Sequence, residues 1–236
     1  MRLDVDLGDV IELKLDRALL VYANQQRSRH MVTVHTVQHA ENHLPVLGTG
    51  TLLSMETLRE LAKQLGSGTL LECLPENVIA RTPETLAWWT PAEVRPMFFG
   101  AGSELGGVSG KPFPHPPLLF VVAKGILHVR ALCENRRPAA TSRLAVAPYW
   151  NTGGDGKVCH GTMRAPNGVS SASIPQWETA FFQSEFTHPG DTVKLTRRKG
   201  GVVPLWQSLA GARRFPRRTL IAAEGLIDYL KGLESK

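Results

Sequence analysis

Three cysteines, Cys73, Cys133 and Cys159, are the chain's strongest nucleophiles, and they lie far apart. Only Cys159 stands among residues suited to present it. It lies near the end of Pro148–Gly161, PYWNTGGDGKVCHG, where three glycines fall within four positions, Gly153, Gly154 and Gly156. Such a run admits backbone angles closed to other residues and lets a loop fold tightly. Gly161 leaves room beside the thiol. A thiol works as an acyl carrier when it is partly ionised and accessible. Asn151, eight residues earlier, carries an amide that can donate to an oxyanion on an acyl carbon or brace the loop. His160 adjoins the cysteine, but neighbouring side chains on an extended segment point apart, so it is a weak proton-transfer candidate and a surface-filling role suits it better. Asp155 suits either lowering the pKa of an incoming amine or forming the Gly-Asp-Gly turn. Cys73, in an apolar LLECL run, and Cys133, at a strand end, read as structural thiols.

Other chemistry needs partners that the sequence places less well. A cysteine hydrolase would pair Cys159 with His188 or His128, yet no nucleophile motif surrounds it. His35 and His39 have the spacing of helical metal ligands, but in a β-rich stretch and without the acid of HExxH. The cysteines form no CxxC pair, so neither a disulfide framework nor a structural zinc site is indicated, and no metal or cofactor is expected. The net charge of +6 is concentrated: Lys194–Arg218 holds eight of the 27 basic residues and none of the 21 acids. Arg197, Arg198, Arg213 and Arg214 are therefore read as a partner-binding surface. An acidic protein is preferred over nucleic acid, because no helix-turn-helix pattern appears and aromatics are sparse in the run. A non-catalytic binding module built on this surface is the alternative to thiol chemistry.

The elements that must position these residues are those of an α+β protein. Ala18–Tyr22 and Met31–His35 are short β-branched runs split by polar residues, and Gly48–Gly50 marks a turn. Ser54 as N-cap, Glu56 in the first turn and the spacing of Leu58, Leu61, Ala62 and Leu65 predict a helix stopped by Gly66. Pro91 suits the start of a short helix. Gly100–Pro117, with five glycines and four prolines, reads as an exposed loop over the core. Leu118–Ala123 and Ile126–Leu132 form a hairpin across Lys124–Gly125, and Arg143–Ala147 adds a third strand, an antiparallel meander. Ser173–Gln176 fits a capping box opening a helix that carries Trp177, Ala180, Phe181 and Ser184 on one face and ends at His188–Gly190. Leu205–Ala212 and Leu220–Leu230 complete the helices. The expected division is an N-terminal β-rich plus helix extension over residues 1–84 and a main domain over 85–236. No apolar run approaches the ~18 residues of a membrane span. The acidic opening, MRLDVDLGDVIELKLD, is no secretory signal. A reducing cytoplasm fits the cysteine usage.

Asn151 and Cys159 stand at the spacing of the asparagine and active cysteine of ubiquitin-conjugating enzymes, and the order of strand meander, asparagine loop, cysteine and tryptophan-bearing helix is similar. The chain more closely resembles the PRTRC system protein B family, the prokaryotic ubiquitin-conjugating-like family D. The shared stretches are Pro117–Phe120, Arg137–Pro138, Ala147–Pro148 with Asn151, Val158–Thr162, Trp177, Phe181–Phe182, Ser184 and Phe186–His188. Pro204–Trp206, Leu209–Gly211 and Arg214–Pro216 also match. The resemblance implies a ubiquitin-conjugating-enzyme-like antiparallel β-meander flanked by helices. It implies that Cys159 accepts a small ubiquitin-like protein as a thioester from a ThiF-type activating enzyme and passes it to an amine, in a bacterial or plasmid PRTRC system. Asn151 would then serve as oxyanion or loop support. Two departures stand out: Tyr149–Trp150 replaces the His-Pro of the eukaryotic motif, and Thr162–Ala172 is inserted before the helix.

Overall fold

Leu118–Ala123 is apolar at every position, the pattern of a strand covered on both faces. In the computed structural model, which describes residues 15–27, 30–39, 45–64, 73–166, 168–188 and 194–234, this is the central strand of the main sheet. The acidic opening before Leu15, and Leu65, Gly66, Pro189 and Gly190 from the expected helix and its stops, lie outside the described residues. The chain divides into two compact units, residues 1–71 and 72–236.

In the first unit, β1 (Arg17–Ala23), β2 (His30–His39) and β3 (Pro45–Leu52) form an antiparallel sheet in chain order. Gly48–Gly50, expected as a turn, lies within β3 instead. A Cβ at Gly50 would come within 2.3 Å of the His35 ring, and one at Gly48 within 2.7 Å of Thr36 Oγ1. The glycines thus let the His35 side chain lie across the neighbouring strand, where its ring nitrogens meet Gly48 O and Thr33 Oγ1, both at 2.9 Å. Helix α1 (Met55–Gln64) begins as expected, with Ser54 Oγ accepting from Thr57 N at 3.1 Å.

The second unit is built on a six-stranded sheet. Its members are β4 (Val78–Arg81), β5 (Thr85–Thr90), β9 (Leu118–Ala123), β10 (Ile126–Leu132), β11 (Arg143–Val146) and β13 (Ala222–Gly225), in the order β13-β11-β10-β9-β5-β4. Every neighbouring pair is antiparallel. Because β4 pairs with β5, residues 78–81 belong to this sheet although they precede the division expected at residue 85. Leu118, Phe120 and Val122 face one apolar cluster, with Trp177, Phe181 and Trp206. Leu119 and Val121 face another, with Leu226, Tyr229 and Leu233. Trp88 stacks on Phe120 at 5.3 Å between centroids, a contact worth about 0.5–1.5 kcal/mol beyond its buried area.

Smaller elements connect the sheet. Strands β6 (Glu93–Pro96) and β8 (Pro112–His115) pair antiparallel, and β7 (Phe98–Phe99) pairs in parallel with β12 (Glu185–Phe186). The short helix expected at Pro91 is therefore a link into β6, with Ala92 N donating to Asn135 Oδ1 at 2.7 Å. The expected loop 100–117 is exposed only in part, since Leu105, Phe113 and His115 are buried. Helix α2 (Ile174–Phe182) follows a 3-10 turn, and the capping box lies a turn earlier than expected: Ser170 N donates to Ser173 Oγ at 3.4 Å. This helix ends before His188 because Ser184 Oγ satisfies Phe181 O at 2.7 Å and the chain re-enters a strand at Glu185. Helices α3 (Val202–Leu209) and α4 (Leu226–Glu234) complete the unit; β13 replaces the first turn of the helix expected at Leu220.

Candidate functional site

The eight-residue offset between Asn151 and Cys159 is a hairpin register. Thr152 bridges Val158 antiparallel, Cys159 N donates to Asn151 O at 2.7 Å, and Gly153 N donates to Lys157 O at 2.8 Å. The turn closes with Gly156 N donating to Gly153 O at 2.9 Å. The returning arm then extends the main sheet. Residues 130–132 of β10 pair with β11, while the first half of β10 receives Val158 N on Leu127 O and gives Val129 N to Gly156 O. Alternation along this arm buries Val158 and turns the Cys159 thiol outward, where it is exposed. Of the three loop glycines, only Gly156 uses a left-handed angle, φ +86°; a Cβ there would lie 2.5 Å from the Tyr229 hydroxyl.

Asn151 is buried and itself left-handed, φ +59°, a conformation asparagine tolerates better than most residues. Its amide is committed to the segment after α2. Nδ2 donates to Glu185 O at 2.8 Å, and Oδ1 accepts from Thr187 N and Thr187 Oγ1, both at 3.2 Å. Its backbone N donates to His188 O at 2.9 Å. Thr162, just past the thiol, accepts on Oγ1 from Glu185 N at 2.8 Å. The asparagine thus ties both arms of the loop to residues 185–188.

A second tie comes from the opposite face of the sheet. Arg130 is buried; its Nε and Nη2 donate to Glu224 Oε1 at 3.0 and 2.7 Å, and its Nη1 donates to Gly154 O at 2.7 Å. The guanidinium lies 4.8 Å from the Tyr229 ring centroid, and the Tyr229 hydroxyl donates to Asp155 O at 3.0 Å. Burial pushes the Tyr229 phenol well above its usual range, so it remains a donor. Sequence reading missed these three residues. The one available signal was Arg130 itself, a charge within the apolar strand run ILHVRAL, which points to a buried pair.

Tyr149 and Trp150, which stand where the eukaryotic motif has His-Pro, are both buried. The Tyr149 hydroxyl meets His115 Nδ1 at 2.9 Å. Desolvation lowers the His115 pKa from 6.5 to about 4, which keeps this core imidazole neutral.

The remaining sequence candidates separate. Asp155 is exposed, and its carboxylate accepts from Lys157 N at 3.0 Å, the turn-forming role. His160 is exposed, next to the thiol in the chain and past the paired residues 157–158. Among the described residues no hydrogen bond joins the Cys159 thiol to an imidazole: His188 Nδ1 meets Thr187 Oγ1 at 2.8 Å, and His128 Nδ1 meets Ile126 O at 3.2 Å. Cys73 and Cys133, expected to be structural, are exposed like Cys159; Cys133 lies just past the end of β10, and Cys73 in the irregular segment before β4. His35 lies on a strand, where four residues span ~13 Å, too far for a shared metal; the His39 side chain lies outside the described residues. Arg213 and Arg214 meet Arg217 at one cleft, which Arg197 and Arg198 do not line.

An antiparallel sheet with helices on both faces is a mixed α/β arrangement compatible with a ubiquitin-conjugating-like fold. The model of prokaryotic E2 family D matches residues 54–223. The chain belongs to that family. Neither a curated protein nor a solved structure matches it. Among the described residues no helix is long and apolar enough to cross a membrane.

Proposed function

We propose that Cys159 is the acceptor thiol of a carrier for a small ubiquitin-like protein, working with a ThiF-type activating enzyme in a PRTRC system. One observation carries the reading: the hairpin register sets an exposed Cys159 opposite a buried, fully braced Asn151. In this reading strands β5, β9, β10 and β11 serve as the conjugating-enzyme meander, and the carrier chemistry resides in the larger unit. The Cys159 thiolate attacks the glycyl thioester of the activating enzyme. A new carbon–sulfur bond forms, and the enzyme's cysteine leaves as thiolate and takes up a proton. The two thioesters are close in energy, so positioning and access govern the rate. Asn151 acts as loop support, since its amide already holds residues 185–187. An amine then attacks the carrier thioester and releases the thiol.

A cleft of about 510 Å³ beside the loop, lined by Thr162, Arg164, Gln176, Thr179 and Gln183, is the place for the extended tail of the carried protein. Incubation with the ubiquitin-like protein, activating enzyme and ATP should give a reductant-sensitive adduct, read by non-reducing electrophoresis and intact mass. Cys159→Ser should convert it to a reductant-stable ester, and Cys159→Ala should abolish it. Retention of the adduct in Cys159→Ala would sink the proposal.

A further inference from the structure

A cleft of about 480 Å³ opens between β6, β8 and residues 213–217. Arg213, Arg214 and Arg217 line it, and all three are exposed. Arg213 and Arg214 form no ion pair among the described residues, and Arg217 gives one guanidinium nitrogen to Cys133 O at 3.1 Å. Glu93 also lines the cleft; its carboxylate pairs with Arg95 at 2.5 Å, a guanidinium shared with Glu178 at 3.1 Å. The cleft therefore gathers three exposed guanidiniums against a single carboxylate, itself ion-paired to Arg95. The other walls combine apolar Phe215 and Pro114, both buried, and half-exposed Val94 with the polar side chains of His115 and Asn135.

The backbone under the arginines is anchored. Gly211 N donates to Pro112 O at 3.1 Å, and Arg217 N donates to Phe215 O at 3.0 Å. The rim charges thus sit on fixed backbone, which lowers the cost of ordering them on binding. Nucleic acid fits poorly. The Phe215 ring packs 6.0 Å from Trp206 inside the core and is not free to stack on a base. The charges also converge on one recess, whereas a duplex calls for a stripe that follows its phosphates.

We infer that this cleft docks a short acidic segment of a partner protein, with carboxylates on the arginine rim and one apolar side chain between Val94, Pro114 and Phe215. Guanidiniums recognise carboxylates through paired hydrogen bonds. The inference does not depend on the chemistry at Cys159.

The test is titration of the full isotope-labelled chain with a fluorescent Glu-Asp-Leu-Asp-Glu peptide, followed by amide shifts and anisotropy. The acidic peptide should shift the amides of Val94 and Phe215 and the Asn135 side chain, and its affinity should fall as salt screens the charges. Arg213→Glu with Arg214→Glu should weaken it about tenfold or more. Val94→Ser, which removes the apolar contact and adds no charge to the rim, should weaken it severalfold; both variants change exposed positions. No shift of these amides at millimolar peptide overturns the inference. So does equal binding of the Gln-Asn-Leu-Asn-Gln analogue, or tighter binding of a DNA duplex with the same amides shifted.

Discussion

Cys133 and Cys159 are both exposed, and their surroundings differ in kind. Cys133 lies just past the end of β10 in a cleft of about 360 Å³ lined by Arg136, Arg137 and Arg143. It has positive charge nearby, and its segment is tied by Arg217 Nη1 on Cys133 O at 3.1 Å and Ala92 N on Asn135 Oδ1 at 2.7 Å. Among the described residues, however, no strand pairing or hairpin turn presents the thiol. Cys159 sits on a hairpin held from two sides, by Asn151 toward residues 185–188 and by Arg130 of β10 and Tyr229 of α4. Exposure alone does not separate the two thiols; the scaffold does. A carrier thiol must meet a bulky partner in one orientation, and a loop pinned through its backbone carbonyls supplies that orientation at little cost on binding.

Removing a pin should break the contrast most strongly. Arg130→Met leaves Glu224 without its partner and removes the Nη1 bond to Gly154 O; we expect a loss of about 3 kcal/mol, the low end for a broken buried pair because Glu224 is partly exposed. Denaturant melts measure that loss. Charging of Cys159 should fall at least tenfold in protein that remains folded, while alkylation of Cys133 by iodoacetamide keeps its rate.

Acid should act next, through the support beneath the loop. The folded-state pKa of His115 lies below its unfolded value, so the unfolded chain binds the extra proton first. This contribution is complete above pH ~6.5 and is lost as pH falls toward about 4. The expected cost approaches about 3 kcal/mol at the acid end. His115→Gln should flatten the stability profile across that window, and an unchanged slope would refute the assignment.

Gly156→Ala should have the smallest effect, about 1–3 kcal/mol, from a left-handed φ and a close approach to the Tyr229 hydroxyl. Combining it with Tyr229→Phe removes the nearer of the two oxygens that the new methyl meets and leaves Val129 O, at 2.9 Å. Recovery of part of the loss in the double variant, read by thermal melts, gives the share of the Tyr229 hydroxyl.

Much of the fold was legible because local rules and tertiary packing agreed. The hairpin over Leu118–Leu132 follows from apolar runs flanking Lys124–Gly125, and the start of α1 follows from Ser54. The misreadings came where a distant partner overrode a local preference. Gly48–Gly50 reads as a turn until the His35 ring is seen lying over it. Ala222–Gly225 reads as helix until β11 and Arg130 claim it as a strand. Pro91 and the loop before Pro112 turn into strand connections because β6 and β8 find each other.

By itself the sequence determined that Cys159 follows Asn151 by eight residues in a glycine-rich segment, that this segment precedes a tryptophan-bearing helix, and that the excess positive charge lies in Lys194–Arg218. These are matters of residue type and spacing, which are local. Only the tertiary structure decided that the offset is a hairpin register, that Asn151 spends its amide on residues 185–187, and that a buried arginine 24 residues from Gly154 holds the loop. It also decided which arginines share a cleft. Hydrogen bonds and ion pairs between segments far apart in the chain depend on how the sheet stacks its strands, and residue spacing carries no record of that.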